Sequence, residues 1–522
     1  IGAARAALFH IRVVRVPCGR YVCDACITKP ERMTLAHFLW VRCRGNPLWL
    51  PWRRAATRGR PYPNSHHAKC TNLLMSGLER PLTVALLVIA LGGYCAWPLL
   101  ANCLPQQAAP AAEESPGLKT IRFLEARVAQ DPLDFIAHNR LGSLYLQRQR
   151  ETGNQDYIGL AARAARLSLE AVPAELNTGG LALRAQAENA AHEFAAARAS
   201  ALRLIELAPG KSYPYQILGD ALIELGEYDR AVEAYQEMER RSEVSVNTET
   251  RLARLDLLQG KNDLARRRLS TALALARNLV PLSPETAAWC YWQLGELAFR
   301  EGKYGTAERS SRDALAIFPG YFQATVLLGR VRGAQQQYGE AIEAYRQAVA
   351  VVPAPDTVAA LGDLLALAGK ADEAEKQYAL VEYIGRINEV NQVAYNRQLA
   401  LFYADHNRKL DEAVKLAEAE LERRRDIYTY DTLAWVYYKK GRPTEAWKAM
   451  EQALRLGTQD ASLFFHAGMI AHGLEDKEKA KNYLRRALDT NPRFSPSGAE
   501  QARRTLAEIE QQKVVRGETR VP

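Results

Sequence analysis

The chain has 522 residues, of which 48% are hydrophobic, and a formal net charge of +10. The first 80 residues hold 14 basic and 3 acidic side chains, whereas the remaining 442 hold 55 basic and 56 acidic ones. The positive charge therefore belongs to the N-terminal leader, and it excludes an argument from global charge that the bulk of the chain binds nucleic acid.

The leader, residues 1–74, is rich in Arg, Cys and Trp and shows no sustained helix or strand period. We expect it to be disordered, or to precede a true start at Met75. Its single C-x-x-C, Cys23 to Cys26, lacks the second close cysteine pair that a zinc site needs, so we predict no metal site. A metal or redox role for the leader is an alternative, and it requires a protein that starts before Cys18.

Residues 75–104 contain a candidate signal anchor. Leu82–Leu104 holds 23 residues without a charge, about 34 Å of helix, which suffices to cross a bilayer core. Because Arg80 and the basic leader precede it, we expect the rest of the chain on the extracytoplasmic, periplasmic side of a single-pass membrane anchor. Cleavage and export, or lipidation at Cys103, stay open as alternatives. The Ala- and Pro-rich residues 105–117 predict a flexible linker.

The rest of the chain repeats one pattern of small residues and prolines. One set of markers lies at intervals of 12, 7 and 5 residues: Gly295, Ala307, Ala314 and Pro319. The same intervals recur twice more, at Gly329, Ala341, Ala348 and Pro353, and at Gly468, Ala480, Ala487 and Pro492. Small residues let two helices cross closely, glycine at position 302 permits a turn with positive φ, and proline ends the second helix. Each repeat is therefore predicted to be a pair of amphipathic helices.

This pattern resembles the tetratricopeptide repeat family, in which an aromatic, Leu-Gly, an aromatic, Ala, an aromatic, Ala and Pro recur over about 34 residues. The resemblance implies an all-α fold, a right-handed superhelical solenoid of helix-turn-helix repeats, preceded here by the one N-terminal hydrophobic helix. We expect nine to ten units with capping helices over residues 118–511, and a tail over residues 512–522.

In this family the first helix of each unit lines a concave groove. Aromatic anchors beside Arg and Lys in such a groove suit a peptide segment of a partner protein. The candidate groove residues on the inward face are Tyr213, Asp220, Trp289, Trp292, Glu296, Phe299, Arg300, Arg330, Arg397, Trp435, Tyr438, Lys439 and Phe465.

The sequence offers no constellation for chemistry. The histidines of the repeat region stand beside no Ser or Cys nucleophile, and there is no phosphate loop. We therefore predict a non-enzymatic scaffold or assembly factor of the bacterial cell envelope, without cofactor, small-molecule substrate or nucleic acid as ligand. The alternative is a soluble cytosolic regulator that senses a peptide or a small ligand in the same groove.

Overall fold

The computed structural model describes the backbone of residues 12–18, 21–27, 38–43 and 46–51, and then of residues 116–279, 283–390 and 396–518. The chain divides into two compact units, Ile1–Gln106 and Gln107–Pro522. The predicted anchor Leu82–Leu104 lies outside the described residues. None of the helices described is both long enough and apolar enough to cross a membrane.

The first unit contains four described strands: β1 Arg12–Cys18, β2 Tyr21–Ile27, β3 Phe38–Cys43 and β4 Asn46–Pro51. They form one antiparallel sheet in the order β1-β2-β3-β4. Two-residue connections join β1 to β2 and β3 to β4, as in tight hairpins. This arrangement differs from the expectation of a leader without a strand period. The strands are rich in β-branched and aromatic residues, but Cys and Arg interrupt the alternation that sequence reasoning looks for.

The described residues of the second unit are all-α, with ten helix pairs between two single helices. The single helices are α1 Pro116–Gln130 and α22 Pro496–Glu518. Units 1 to 5 are α2 Phe135–Thr152 with α3 Asp156–Ala171, α4 Thr178–Ala190 with α5 Phe194–Leu207, α6 Tyr213–Glu224 with α7 Tyr228–Arg240, α8 Val246–Leu258 with α9 Asn262–Arg277, and α10 Pro284–Arg300 with α11 Tyr304–Ile317. Units 6 to 10 are α12 Phe322–Ala334 with α13 Tyr338–Val351, α14 Pro355–Leu367 with α15 Ala371–Val390, α16 Asn396–Asp405 with α17 Leu410–Arg423, α18 Ile427–Lys439 with α19 Pro443–Leu454, and α20 Ala461–Gly473 with α21 Lys477–Thr490.

The repeated glycines lie where the two helices of a unit cross. A Cβ at Gly219, Gly329 or Gly362 would overlap the ring of a tyrosine on the second helix of the same unit, Tyr235, Tyr345 and Tyr378 respectively. These rings are buried. The close approach of helix backbones that the small residues predicted is therefore confirmed, and the space above each glycine is filled by an aromatic ring.

Each of the ten turns between paired helices contains a residue with positive φ. Six of these are glycines, at positions 153, 226, 260, 302, 369 and 441, and four are His192, Gln336, Asn407 and Glu475. The turn of unit 8, which carries an extra residue in the sequence, has a second such residue, Lys409, with φ of 40°. The left-handed conformation ends the first helix and redirects the chain into the second. Glycine is frequent in these turns because it adopts this conformation without steric cost.

The solenoid closes on itself along a seam, defined here as the contacts between the turn of one unit and the loop that precedes the unit six places later. In unit 3, the carbonyl of Glu224 accepts from the amide of Arg425 at 2.9 Å. The hydroxyl of Tyr228 accepts from the amide of Ile427, also at 2.9 Å. Both donors belong to the loop and first residue of unit 9. Successive superhelical turns are therefore in direct contact.

The seam continues at the next two units with the same offset. In unit 4, the hydroxyl of Thr458 donates to the carbonyl of Leu258. In unit 5, the amide of the Asn491 side chain donates to the carbonyl of Phe299 at 2.7 Å, and its oxygen accepts from Tyr304 at 2.5 Å. Carbonyls at the C-terminal end of a helix have no partner within the helix, so the seam satisfies groups that would otherwise face solvent or remain unpaired.

Turn glycines within the seam differ from those outside it. A Cβ at Gly226 would overlap the carbonyl oxygen of Arg425, whereas a Cβ at Gly441 would meet nothing within 4 Å. Both residues have positive φ, 73° and 79°. Alanine strains the backbone equally at both positions. Only at Gly226 would its Cβ also clash with the carbonyl oxygen of Arg425 in the seam.

We expect Gly441→Ala to lower the free energy of unfolding by about 1 kcal/mol, because alanine is strained in the left-handed region. Gly226→Ala should lower it by about 1–3 kcal/mol more, because a packed contact must also open. Urea unfolding followed by circular dichroism measures both. Equal destabilisation by the two substitutions would show that the seam contributes nothing to stability.

Candidate functional site

The first helices of units 1 to 5 line two adjoining open cavities of about 490 and 470 Å³. We call them together the lumen. The residues that line both cavities are Asn189, Asp220, Thr250, Arg251 and Trp289. Unit 9 contributes Asp426 and Tyr428 to the wall of the larger cavity. The seam therefore brings a distant repeat into the wall of the groove, next to the first helices of units 2 to 5.

Aromatic side chains form one wall of the lumen. Trp289 and Trp292 lie one helical turn apart on α10, with ring centroids 6.4 Å apart in an edge-to-face arrangement. Trp292 also packs edge-on against the buried ring of Tyr321, at 6.5 Å. Both tryptophans are half-buried, so they keep apolar surface available to a molecule in the lumen.

The ionised groups of the lumen are mostly paired with one another. The guanidinium of Arg251 donates to both oxygens of Asp220, at 3.1 Å to Oδ1 and 2.8 Å to Oδ2. Although burial alone would raise it, the guanidiniums of Arg254 and Arg424 lower the pKa of Glu224 to about 2. These pairs fix the arginines as planar, oriented donors in the wall, so the lumen carries little free charge.

Two polar groups of the lumen lack a satisfactory partner. The side-chain oxygen of Asn189 is buried and accepts no hydrogen bond. Glu285, at the start of α10, is buried, and burial raises the pKa of its carboxyl, which the Nε of Arg150 at 3.8 Å only partly offsets. A buried acceptor without a donor costs free energy.

Four of the thirteen predicted groove residues line the lumen: Asp220, Trp289, Trp292 and Arg300. The guanidinium of Arg300 is oriented within the chain, since it donates to the hydroxyl of Tyr428 at 3.2 Å. The structure thus brings these four predicted residues together around one cavity.

Two further predicted residues, Phe299 and Arg330, lie beside the C-terminal end of the chain, and a third, Glu296, is paired with Arg330. Arg330 binds Glu296 at 2.7 Å, and its guanidinium lies 4.4 Å from the ring centre of Phe299. Arg493, Phe494 and Pro496, at the entry to α22, line a small cavity together with Arg330 and Phe299. Phe299 is only 3% exposed. This stretch of the predicted groove therefore shares its wall with the C-terminal end of the same chain.

The remaining predicted residues lie away from the lumen. Trp435 and Phe465 are buried, while Tyr438 stacks on Trp435 with centroids 5.2 Å apart. Lys439 lies 5.4 Å from the ring centre of Trp435, and burial lowers its pKa. Arg397 binds Asp426 at 3.3 Å, and Tyr213 packs against the core. A direct contact of these six residues with a partner stays a prediction.

A histidine joins units 9 and 10 beside this aromatic group. The Nδ1 of His466 lies 2.8 Å from a carboxylate oxygen of Asp431, and its ring stacks on Trp435 at 4.2 Å. Burial lowers the pKa of His466, but the Asp431 carboxylate, with Asp405 and Asp460, outweighs it and raises the pKa above the usual value. The charged pair therefore links the first helices of two neighbouring repeats.

Sequence reasoning missed several residues that line the lumen, among them Asn189, Arg251 and Arg254. Both arginines lie on the first helix of unit 4, where no aromatic residue drew attention to the inward face. Asn189 lies near the end of α4, whose inward position depends on the unusual turn at His192. Within the described residues there is no group of three His, Cys, Asp or Glu that could hold a metal ion.

Comparison with known proteins gives a consistent picture of the repeats. Sequence models of the tetratricopeptide repeat match residues 245–320, residues 326–387, and residues 213–240, 427–456 and 461–494. No curated protein matches the chain.

Solved structures of similar repeats are distant. A tetratricopeptide repeat protein from Parabacteroides merdae is 18% identical over 51% of this chain and 98% of its own, with a TM-score of 0.30. Human IFIT1, solved as a dimer with PPP-AAAA, is 16% identical over 65% and 94%, with a TM-score of 0.37. PilW, a type IV pilus biogenesis factor, is 18% identical over 39% and 91%, with a TM-score of 0.34. With TM-scores this low, none of them bears on the function of this chain.

The His466–Asp431 pair predicts a pH dependence of stability. Because the folded pKa of His466 is raised above its ordinary value of 6.5, the stabilisation is fully present below about pH 6.5 and is lost as the pH rises through the folded pKa. We expect His466→Gln to lower the thermal midpoint more at pH 6 than at pH 9. His472→Gln, on the same helix, is the control and should leave the pH dependence of the wild type unchanged. A midpoint loss for His466→Gln that is the same at both pH values would contradict the charged pair.

Proposed function

We propose that this chain, which belongs to the tetratricopeptide repeat family, is a non-enzymatic scaffold that binds a peptide segment of a partner protein in the lumen. Tetratricopeptide repeat proteins bind other proteins and are generally scaffolds without catalytic activity. The observation that carries the proposal is the pair of half-buried tryptophans, Trp289 and Trp292, which present apolar ring surface in the wall of the lumen.

The chemistry of the lumen supports an extended peptide. Every peptide unit carries an N–H donor and a C=O acceptor, which would hydrogen-bond to polar groups of the wall such as Thr250. Apolar side chains of the peptide would pack on Trp289 and Trp292, which offer large contact areas at a low cost in side-chain entropy. Two adjoining cavities of about 490 and 470 Å³ each have the size of an ordinary ligand pocket, so together they suit several residues of peptide.

The pairing of charges in the lumen favours a segment of low net charge. Because Arg251 and Asp220 neutralise each other, neither a strongly acidic nor a strongly basic segment gains much from entering. Polar peptide groups would instead meet Thr250 and the oriented guanidiniums. Selectivity would then come from the fit of apolar side chains to the two tryptophans.

We also propose that the repeats act in the bacterial cell envelope, held to a membrane by Leu82–Leu104. The support lies in the sequence: 23 uncharged residues follow a basic leader, and a linker rich in Ala and Pro separates them from the repeats. A scaffold placed there would hold partners during the assembly of envelope machinery.

Alanine at the lumen tryptophans should remove peptide binding. We expect peptides selected on the full chain from a random phage-displayed library to bind Trp289→Ala and Trp292→Ala about 30-fold more weakly, as for anchor residues at interfaces. Fluorescence polarisation of a labelled, selected peptide measures the affinity.

Trp447→Ala is the matched control for this experiment. Trp447 lies on the second helix of unit 9, away from the lumen, where its indole N–H donates to Glu451. The control should keep the affinity of the wild type. If no peptide is enriched, or if Trp447→Ala weakens binding as much as the lumen variants, the lumen is not the peptide site.

Location can be tested with paired fusions at the C-terminus of the full chain. We expect an alkaline phosphatase fusion to be active, since this enzyme folds only in an oxidising, extracytoplasmic compartment. We expect a green fluorescent protein fusion to be non-fluorescent, because this protein becomes fluorescent in the cytoplasm and not after export through the general pathway. An inactive alkaline phosphatase fusion together with a fluorescent green fluorescent protein fusion would favour the soluble cytosolic regulator instead.

A further inference from the structure

Seam contacts at a turn glycine are described for four of the ten turns of the solenoid. The turns of units 1, 3, 4 and 5 are covered: a Cβ at Gly153, Gly226, Gly260 or Gly302 would meet Val352, Arg425, Gly457 or Pro492 respectively. In units 7 and 9 the equivalent glycines, Gly369 and Gly441, have nothing within 4 Å of an added Cβ. We call these two exposed turns the lower rim.

The opposite edge of the solenoid has uncovered loops with exposed apolar side chains. Leu133, Leu176 and Val244 each lie two residues before the first helix of units 1, 2 and 4. They are 73%, 79% and 64% exposed, the highest values for large apolar side chains in the described chain apart from Ile136 and Phe123 near the same end. We call these three loops the upper rim. Exposed apolar residues in a repeated position indicate an interaction surface rather than scattered surface residues.

The two rims carry the same kinds of residue that are in contact within the seam, namely apolar loop residues and turn glycines. There, the turn of Gly153 lies against the side chain of Val352, and the turn of Gly302 lies against Pro492. These two contacts place an apolar loop residue on a turn glycine, whereas Gly226 and Gly260 lie against the backbone carbonyls of Arg425 and Gly457. The upper rim presents unused apolar loop residues, and the lower rim presents unused turn glycines.

The single helices at the two ends complete this match. α22 packs against both helices of unit 10, as the first helix of a further unit would. α1 packs on the first helix of unit 1, as the second helix of a preceding unit would. One copy therefore ends on the first half of a helix pair, and the next copy begins on the second half.

The six-unit offset of the seam then fixes which residues meet. If α22 of one copy and α1 of the next make an eleventh unit, unit 2 of the next copy takes the place of a thirteenth unit, six after unit 7. Its Leu176 would lie on Gly369. In the same way unit 4 of the next copy follows unit 9 by six places, so Val244 would lie on Gly441.

The charges beside these residues agree with that pairing. Glu175 and Glu243 precede the apolar residues of the upper rim, and Lys370 and Lys440 flank the glycines of the lower rim. Glu175 is paired with Arg203, Lys370 with Glu373 and Lys440 with Asp411 in their own chain, at 2.8, 3.3 and 2.8 Å. Such exposed pairs are weak and exchangeable, so the charges would orient the encounter rather than supply the affinity.

From these observations we propose that the upper rim of one copy docks on the lower rim of a second copy, head to tail, and continues the superhelix from chain to chain. The surface joined is different on the two partners, so the contact is heterologous and can propagate. The seam within each chain is the template for the contact between chains.

Sedimentation velocity of the full chain over a range of concentrations tests the proposal. The wild type should form species heavier than the 58.2 kDa monomer as concentration rises. Leu176→Glu with Val244→Glu disables the upper rim. Gly369→Asn with Gly441→Asn disables the lower rim, because asparagine tolerates positive φ but adds a side chain where the loop should dock. Each double variant alone should need at least tenfold higher concentration to associate.

A mixture of the two double variants separates head-to-tail docking from other arrangements. Each variant keeps one intact rim, so an equimolar mixture should form a dimer of two chains and nothing larger. Leu160→Glu with Leu202→Glu, which places charges on exposed apolar positions of second helices, is the control and should assemble like the wild type. Circular dichroism checks that all variants keep wild-type helicity.

Three results would overturn the proposal. The first is a wild type that stays monomeric at every concentration. The second is loss of assembly only in the upper-rim variant, which would indicate a two-fold contact between like surfaces. The third is a mixture that forms no dimer.

Discussion

The contact between a turn and the loop six units later is the constraint on which the rest of this structure depends. A solenoid of helix pairs needs only nearest-neighbour packing, and its groove is normally open along its length. Here the carbonyls that end three first helices, among them Phe299, are hydrogen-bonded by residues about two hundred positions away. Those bonds set the pitch of the superhelix. The rise along the axis over one superhelical turn must equal the height of one repeat, because the bottom of one unit then meets the top of the unit six places later.

The constraint also decides which inward-facing residues remain available. Where the later repeats meet units 3 and 4, Asp426 and Tyr428 join the wall of the lumen that holds Trp289 and Trp292. Beside units 5 and 6, Arg493, Phe494 and Pro496 line a small cavity with Arg330 and Phe299. The inward face is therefore lined in part by distant segments of the same chain.

The repeats could be predicted from the sequence because their spacing records local geometry. Gly295, Ala307 and Pro319 mark a crossing, a packed second helix and a helix end, and each depends only on residues within one unit or its neighbour. The lumen could be predicted only in part, because the seam joins residues far apart in sequence, and no spacing reveals that Asn491 would bond to Phe299. Turn residues such as Gln336 and Glu475 were missed for a related reason: their left-handed backbone is imposed by the repeat and not by their own preference.

The seam changes how the solenoid can come apart. An open repeat array frays from its ends, one unit at a time, because each unit is held only by its neighbours. In this chain the last repeats are bonded to units 3 to 5, with Asn491 on Phe299 and Thr458 on Leu258. The C-terminal end therefore cannot peel away without also uncovering the middle of the array. Unfolding from that end becomes a concerted event, and the same long-range closure makes the final step of folding costly in chain entropy and late in the sequence of events.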